Sequence, residues 1–599
     1  MNLLPRFIIN SLLRPHHWRK IFFLVVWRPL RTRLRIKQKG LYHWSYYPTS
    51  IKKYLFAFQH KSDFDTKTIQ YWNFFKTNIN SSNQVDFNIN CAGRDLMATE
   101  LSNFWSPMAV DLDDIEVLQS THRFHWAVEK AAKGLSKANI KLIVEIISNW
   151  IKQFSVPDIR QPAWQPYTVS ERLCNWITFL QATQVLADYP EYRESFLLAI
   201  KNNIIYLTET LEYPASGIIN NHILNNARAL YISGKFFENE YVAAIGREII
   251  IENFPRMTGK NGFLLEASSH YHFLLTRTAL EVNKIAQETN DIDFSNWIEK
   301  QAQKMLKACQ KILPQNIHGL DEMPRIGDIS PDIPFSWFSP ISDELNGDWN
   351  RLWGITTKST KQNPNKFESD GWLTIENKNW SMIAFTHPDR THYPIGHGHD
   401  DFGSFCLYFD GWEILNDKGC LNYIPIEKGG SLGRESKDHS GLLIDSENAL
   451  FVGTGIKSLL SSVSIGQTNY ILGENNDSII WNIPCINGAK WLRMLKVDSD
   501  SSVLIVDKVD SCKLVKGFLN LPADANPKKV SDFHIEFLMN DYLCQIKQLN
   551  MHNLKIEDTD FYPQYGVKIK SKRICWSATV EKGHLESIIQ ISIKKMIVK

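Results

Sequence analysis

A chain of 599 residues is longer than the roughly 250–300 at which a single hydrophobic core stops growing, so two to four domains are expected. Its 43% apolar and 22% charged residues are ordinary for a soluble globular protein. A net charge of +3 excludes a molecule that binds nucleic acid through its overall field, and nine scattered cysteines with no Cys-x-x-Cys pair argue against a disulfide framework. The 19 Trp, 20 Tyr and 32 Phe are many. Most belong in cores, but aromatic faces also pack on the C–H faces of sugar rings, as a glycan-handling protein requires.

Residues 1–40 hold ten Lys or Arg and no acid around the apolar run Ile21–Trp27. That run is far short of the ~20 residues needed to span a bilayer, and no small-residue cleavage site follows it, so no signal peptide is recognisable. With Trp18 and Trp27, the arm is expected either to lie on an anionic membrane surface, to dock on the protein's own body or to be a mobile tail. From about 95 to 315 the apolar positions recur at helical spacing, in Ala127–Phe154, Thr168–Ala187, Glu191–Leu211, Asn221–Phe237, Tyr241–Asn253, Glu266–Glu288 and Asp293–Ile312. Short turns such as Tyr189-Pro190 join them, which predicts a toroid, a helical array or a bundle of antiparallel helices. Ser359–Lys366 reads as a polar linker or a surface turn. Beyond it, short runs rich in β-branched and aromatic residues, Trp372–Ile375, Trp380–Phe385, Ser404–Phe409, Gly441–Ile444, Tyr470–Leu472, Ala489–Val497 and Val503–Val506, alternate with turns as in an antiparallel sandwich. Three parts are expected: a basic segment with lead-in helices over 1–90, a helical domain over 91–358 and a β domain over 367–599.

Four groups of residues carry chemistry. Trp164–Trp176 mixes aromatics with Arg172 and Asn175, and an arginine beside stacking surfaces suits a sugar acid. Asn220-Asn221-His222, with Asn225 and Asn226 on the same helical face, makes either a polar pocket or a helix cap. Glu266–His272 stacks an acid, two hydroxyls, two imidazoles and Tyr271 at the start of an apolar helix. The fourth is His397-Gly398-His399-Asp400-Asp401. Alternate residues of an extended segment face one side, so both imidazoles can reach one site. With Asp417 and His439 brought in by neighbouring strands, two or three imidazoles and a carboxylate make a zinc-type set.

In order and in type, these blocks resemble the heparinase II/III-like polysaccharide lyases. The matching stretches are Trp164-x-Pro166-Tyr167…Arg172…Asn175-Trp176, Asn221-His222…Ala229-Leu230, Glu266…Tyr271-His272…Leu275, His397-x-His399-x-Asp401-x-x-Ser404-Phe405 with Gly411, Asp417, Gly419 and Tyr423, and Arg434-Glu435-Ser436…His439. The resemblance implies an incomplete α/α toroid followed by an antiparallel β-sandwich. It also implies β-elimination on an acidic, uronate-containing polysaccharide, with no organic cofactor. Asn221 and His222 would neutralise the uronate carboxylate, Tyr271 would be the acid and on one face also the base, and His397 would be the second catalytic imidazole. His399, Asp417 and His439 would hold one structural divalent metal, zinc for preference. Trp164, Tyr167 and Arg172 are expected to touch substrate. Such lyases usually work outside the cytoplasm in nutrient degradation; the lack of a recognisable signal peptide and the basic arm point instead to exopolysaccharide processing near a membrane surface, in the periplasm or cell envelope. Two rivals need other chemistry. A toroid glycoside hydrolase requires two flanking carboxylates, for which Glu171 and Glu266 are on offer, and a hydrolytic zinc enzyme requires an open coordination position. A third, a glycan-binding or assembly protein on the same fold, requires no chemistry.

Overall fold

The computed structural model describes residues 47–596 apart from 61–63, 83–87, 98–104, 106–113, 214–218, 342–346, 358–365, 387–395, 425–432, 449–468, 474–476, 486, 551–552 and 581–582. The basic arm 1–40 lies outside the described residues, as does all of the expected linker except Lys366, which opens a strand.

Among the described residues twelve helices come first: α1 Thr49–His60, α2 Ile115–Thr121, α3 His125–Lys133, α4 Lys137–Gln153, α5 Pro166–Thr183, α6 Val185–Asp188, α7 Pro190–Glu209, α8 Asn221–Phe236, α9 Glu240–Met257, α10 Ser269–Glu288, α11 Ile292–Lys311 and α12 Asp348–Trp353. Two expectations need correction. The apolar stripe over Ala127–Phe154 is two helices, because Gly134 takes φ 101 and Leu135–Ser136 turn aside to pair in parallel with Ile79–Asn80. Ser136 then caps α4, its hydroxyl accepting from the Asn139 N–H. Glu266 likewise precedes its helix: Ala267 takes φ 57 and Ser268 caps α10 by accepting from the Tyr271 N–H. That break turns the Glu266 side chain away from the helix and frees it to face the loop carrying His397.

From Lys366 onward the chain is antiparallel sheet. Strands Lys366–Ser369, Trp372–Asn377, Trp380–Phe385, Cys406–Phe409 and Trp412–Leu415 form a five-stranded sheet in chain order. An eight-stranded sheet and a four-stranded sheet follow. The five-stranded sheet is buried on both faces, and its sequence says why. In Trp380–Phe385, Trp380, Met382 and Ala384 enter the core shared with the other sheets, while Ile383 and Phe385 enter the core of the helices. Period-2 alternation with apolar residues on both sides fits a strand covered twice. Polar ties fix the same contact: Thr374 donates to the Lys311 carbonyl at 2.7 Å and Gln315 Nε2 to Glu376 at 2.6 Å. The two regions therefore share a wall, and the sheet loop carrying His397 is held against the first turn of α10 and against Glu266. All nine cysteines are free. No helix among the described residues is long and apolar enough to cross a membrane.

Candidate active site

Three helix N-termini and two sheet loops build the site. On α8, Asn220 stands at the N-cap position but its side chain caps nothing, and its Oδ1 is buried without a hydrogen-bond partner among the described residues. The polar start of this helix is therefore not explained by capping. His222, partly exposed, donates through Nδ1 to Glu212 at 2.9 Å, which leaves Nε2 for a ligand. Glu212 also accepts from Gln165 at 3.0 Å and from Asn226 at 3.1 Å. Burial works against charge on His222, but the Glu212 carboxylate and its hydrogen bond outweigh it and raise the imidazole's pKa. The Tyr167 ring, from the first turn of α5, lies 4.8 Å from that of His222, and its hydroxyl donates to Asp332 at 2.8 Å.

Tyr271 of α10 is buried, and its hydroxyl is 2.8 Å from that of Tyr423. Tyr423 donates its single proton to the Ile329 carbonyl at 2.7 Å. Tyr271 must then be the donor between the two phenols. Burial pushes the Tyr271 phenol well above its ordinary value, so the resting group is neutral.

From the sheet side, the His397 ring stacks on that of Tyr271, with centroids 3.5 Å apart and planes at 10°. His397 Nδ1 is 3.0 Å from one oxygen of Asp328 and His399 Nε2 is 2.9 Å from the other. Both imidazoles thus reach one group, as their spacing predicts. Arg434 donates to both oxygens as well, at 2.8 and 2.7 Å. Burial alone would raise the Asp328 carboxyl, but Arg434 and the two imidazoles hold it far below the ordinary range. Glu266 completes the closure. It is fully buried, lies 3.8 Å from His397 Nε2, accepts from the Asn221 backbone N–H, and feels the charge of both His397 and His222. Burial raises its pKa.

Below this lies the second group foreseen in the sequence. His399, Asp417 and His439 are buried and offer ligand atoms within 4.8 Å of one another. Asp417 accepts from His439 Nδ1 at 2.8 Å, and His439 Nε2 is buried without a hydrogen-bond partner among the described residues. Burial opposes charge on His439, yet Asp417 lifts its pKa to about 9. Two imidazoles and a carboxylate at this spacing fit a divalent ion that accepts nitrogen and oxygen donors. Asp328, His399 and Cys420 form an overlapping set.

Other sequence candidates lie elsewhere. Trp164 and Arg172 are enclosed, and the expectation that they touch substrate is corrected. Arg172 spends its guanidinium on Asn203 Oδ1, at 3.1 and 2.6 Å, and on the Ala163 and His122 carbonyls, 4.1 Å above the Trp150 ring. Glu171 is locked inside by Arg228 at 2.9 Å and Arg277 at 3.9 Å, which removes one of the two carboxylates a hydrolase needs. His270 and His272 accept backbone N–H bonds from Ser330 and Leu264, and burial pushes both down to about 3, so neither serves the site. Asp328 and Glu212 were missed. Each is a single acid in an irregular stretch, and only the Gly327-Asp328 pair at a positive-φ turn marks either. Tyr423 and Arg434 stood in the matching motifs without a role.

The sequence matches the Heparinase II/III N-terminus over residues 105–331 and the Heparinase II/III-like, C-terminal domain over 359–516. No curated protein matches it. Among solved structures, the fold is similar to heparinase III, with a TM-score of 0.64 at 16% identity over 98% of this chain and 93% of that one. It is also similar to another heparinase III, with a TM-score of 0.57 at 16% identity over 92% of each chain. A mutant of the heparan sulfate lyase HepC from Pedobacter heparinus gives 0.55 at 16% identity, over 91% of this chain and 88% of that one. At such identity these likenesses speak for the fold, a helical toroid followed by a β-sandwich. With both domain matches in sequence, the chain belongs to the heparinase II/III-like family of polysaccharide lyases.

Proposed function

We propose that the protein cleaves a uronic-acid-containing glycan by β-elimination, leaving a 4,5-unsaturated uronate on one product. The C5 proton of a uronate is weakly acidic while the neighbouring carboxylate keeps its charge. The enzyme must therefore neutralise that carboxylate, remove the proton and protonate the leaving 4-oxygen. Asn221 and His222 suit the first task. The Asn221 amide can donate hydrogen bonds, and Glu212 favours the cationic form of His222 while occupying only its Nδ1. His397 suits the second: Asp328 holds its Nδ1–H and leaves Nε2 to take the proton. Tyr271 suits the third, since its buried phenol keeps its proton until the leaving oxygen arrives. Tyr423 can then reverse its hydrogen bond and donate to the Tyr271 oxygen.

Zinc is the proposed occupant of His399, Asp417 and His439, where it would cross-link the loop bearing His397 to two neighbouring segments. The observation that carries this reading is the 3.5 Å stack of Tyr271, from a helix, on His397, from the sheet, beside a carboxylate that also senses His222. The test is a panel of uronic-acid polysaccharides incubated with pure protein and followed by ultraviolet absorbance. Absorbance from the conjugated product is expected. New reducing ends without absorbance would make the enzyme a hydrolase and overturn the proposal.

A further inference from the structure

Residues 323–333 form neither helix nor strand, yet all of them are buried. Irregular backbone normally runs over the surface, because every buried N–H and C=O must find a partner. Here the partners come from α10 on one side and from the sheet on the other. Ser268, the cap of α10, donates to the Asp328 carbonyl at 2.7 Å, and the Ser330 N–H donates to His270 at 3.0 Å. The Asp328 N–H donates to the His397 carbonyl at 2.8 Å, and the Ile329 carbonyl accepts from Tyr423, the partner of Tyr271, at 2.7 Å. Gly327 lies where the two sides meet. It takes φ 78, and a Cβ on it would lie 2.4 Å from the Ala267 carbonyl oxygen and 2.8 Å from that of His397.

Two carboxylates of this loop carry the same device. Asp328 is balanced by Arg434 and turns to His397. Asp332 is balanced through Oδ1 by Arg123 at 2.7 Å and accepts the Tyr167 hydroxyl on Oδ2 at 2.8 Å. Arg123 is in turn held by Glu116 at 2.8 Å and Gln119 at 2.9 Å, both of α2, and its guanidinium lies 5.0 Å from the centre of the Tyr167 ring. Burial works against charge on Asp332, but Arg123 outweighs it and holds the carboxyl down to about 2. Tyr167 is thereby fixed by its hydroxyl and by its ring. His222 needs such a neighbour. Its side chain is 38% exposed and is tied to Glu212 through Nδ1. One hydrogen bond fixes a point of the imidazole and leaves its plane free to swing; the Tyr167 ring, 4.8 Å away, sets the plane.

We propose that Asp332 is a positioning residue of this site: it clamps Tyr167 against His222 and, from the loop that also carries Asp328 and the Ile329 carbonyl, holds His222 in register with His397 and Tyr271. Each imidazole keeps its own carboxylate, and the loop sets how far apart the two stand. The proposal rests on the lyase reading for what that register serves, since a group that neutralises the uronate must stay aligned with the base and the acid. The clamp itself is a matter of structure and is read without turnover.

The test compares Tyr167→Phe, Asp332→Asn and the double variant of the full chain, isotope-labelled at histidine Cε1 and read by NMR. Tyr167→Phe removes one oxygen and keeps the ring, so it is expected to fold even where Asp332→Asn does not. In each variant the His222 Cε1–H signal, assigned by its loss in His222→Gln, should shift or broaden while that of buried His272 stays in place. On a uronate polymer that the wild type cleaves, each single change should lower kcat/KM about 10–100-fold, the scale of a reacting group misplaced by about 1 Å. The double variant should be no worse than the poorer single, because both changes delete one contact. A His222 signal unmoved in Tyr167→Phe, a His272 signal that moves as far, or losses that multiply in the double variant would each overturn the clamp. Absence of unsaturated product from every polymer would instead remove the lyase reading and leave the His222 signal to decide the clamp.

Discussion

Two imidazole–carboxylate pairs face each other across the site, His222 with Glu212 and His397 with Asp328, and they are not equivalent. Glu212 is otherwise bonded to the neutral amides of Gln165 and Asn226, so its charge goes to His222 and favours the imidazolium. Asp328 is already balanced by a two-pronged Arg434, so towards His397 it acts as an orienting acceptor. One geometry yields two tools: a cation to neutralise a carboxylate, and a ring held with one nitrogen free. What a carboxylate does for an imidazole depends on what else neutralises that carboxylate.

The largest expected effect comes from the group between the pairs. Tyr271→Phe keeps the ring that stacks on His397 and removes only the proton. A general acid contributes about 10²–10⁴-fold, so kcat for unsaturated product should fall by that much with the melting temperature nearly unchanged. A Tyr271→Phe enzyme at wild-type rate would remove the phenol from the chemistry and return the choice to the two imidazoles.

Asp328→Asn comes next and strikes the better-compensated pair. It leaves the partly buried Arg434 guanidinium without its partner, at a cost of about 1.5–3 kcal/mol, seen as a lower urea midpoint at unchanged slope. Adding Arg434→Gln should restore part of that loss, since partners in one network do not add. Equal and additive losses would mean that Asp328 and Arg434 act independently. Glu212→Gln, by contrast, should cost less stability than Asp328→Asn, because His222 is partly exposed and the other partners of Glu212 are neutral amides.

That asymmetry was only partly legible in the sequence. The period-2 His397-x-His399 and the polar starts of α8 and α10 stand out against apolar helical text, and these are the groups the fold brings together. Asp328 and Glu212 do not stand out. They meet their imidazoles 69 and 10 residues away across irregular backbone, and no local pattern encodes such a meeting. The Trp164–Trp176 block misleads for the opposite reason. Aromatics around an arginine have the same composition whether they line a cleft or fill a wall, and the Arg172 acceptors Asn203, Ala163 and His122 come from three separate segments. Gly134 breaks α3 from α4 beneath an uninterrupted apolar stripe, because periodicity reports which face is buried and not where the backbone turns.

Glu212→Gln sharpens the comparison through pH. The raised pKa of His222 means its positive charge is fully present below the ordinary histidine value and is lost only as pH rises through the raised one. The alkaline limb of kcat/KM should therefore fall where His222 deprotonates. Replacing Glu212 by a neutral amide removes what raises that pKa and moves the limb to lower pH. Above neutrality kcat/KM should drop roughly 10- to 100-fold, the loss of one charge-assisted hydrogen bond of about 1.5–3 kcal/mol. At low pH the variant should approach wild type. A limb that stays in place would show that the group losing its proton there is not His222.

The smallest effect on rate is expected from the metal, and it should fall on one pair only. His399 is shared between the Asp328 hub and the set with Asp417 and His439, so an ion there tightens the backing of His397 and touches nothing near His222. Zinc should bind in a one-to-one ratio by mass spectrometry and be lost in His439→Ala. Chelation should lower the melting temperature by several degrees and reduce kcat modestly, since the ion is one ring and one carboxylate removed from the reacting atoms. The alkaline limb governed by His222 should not move. If chelation abolished turnover outright while the fold survived, the ion would have to act on the substrate itself, and His397 and His222 could no longer be read as separately supported halves of one site.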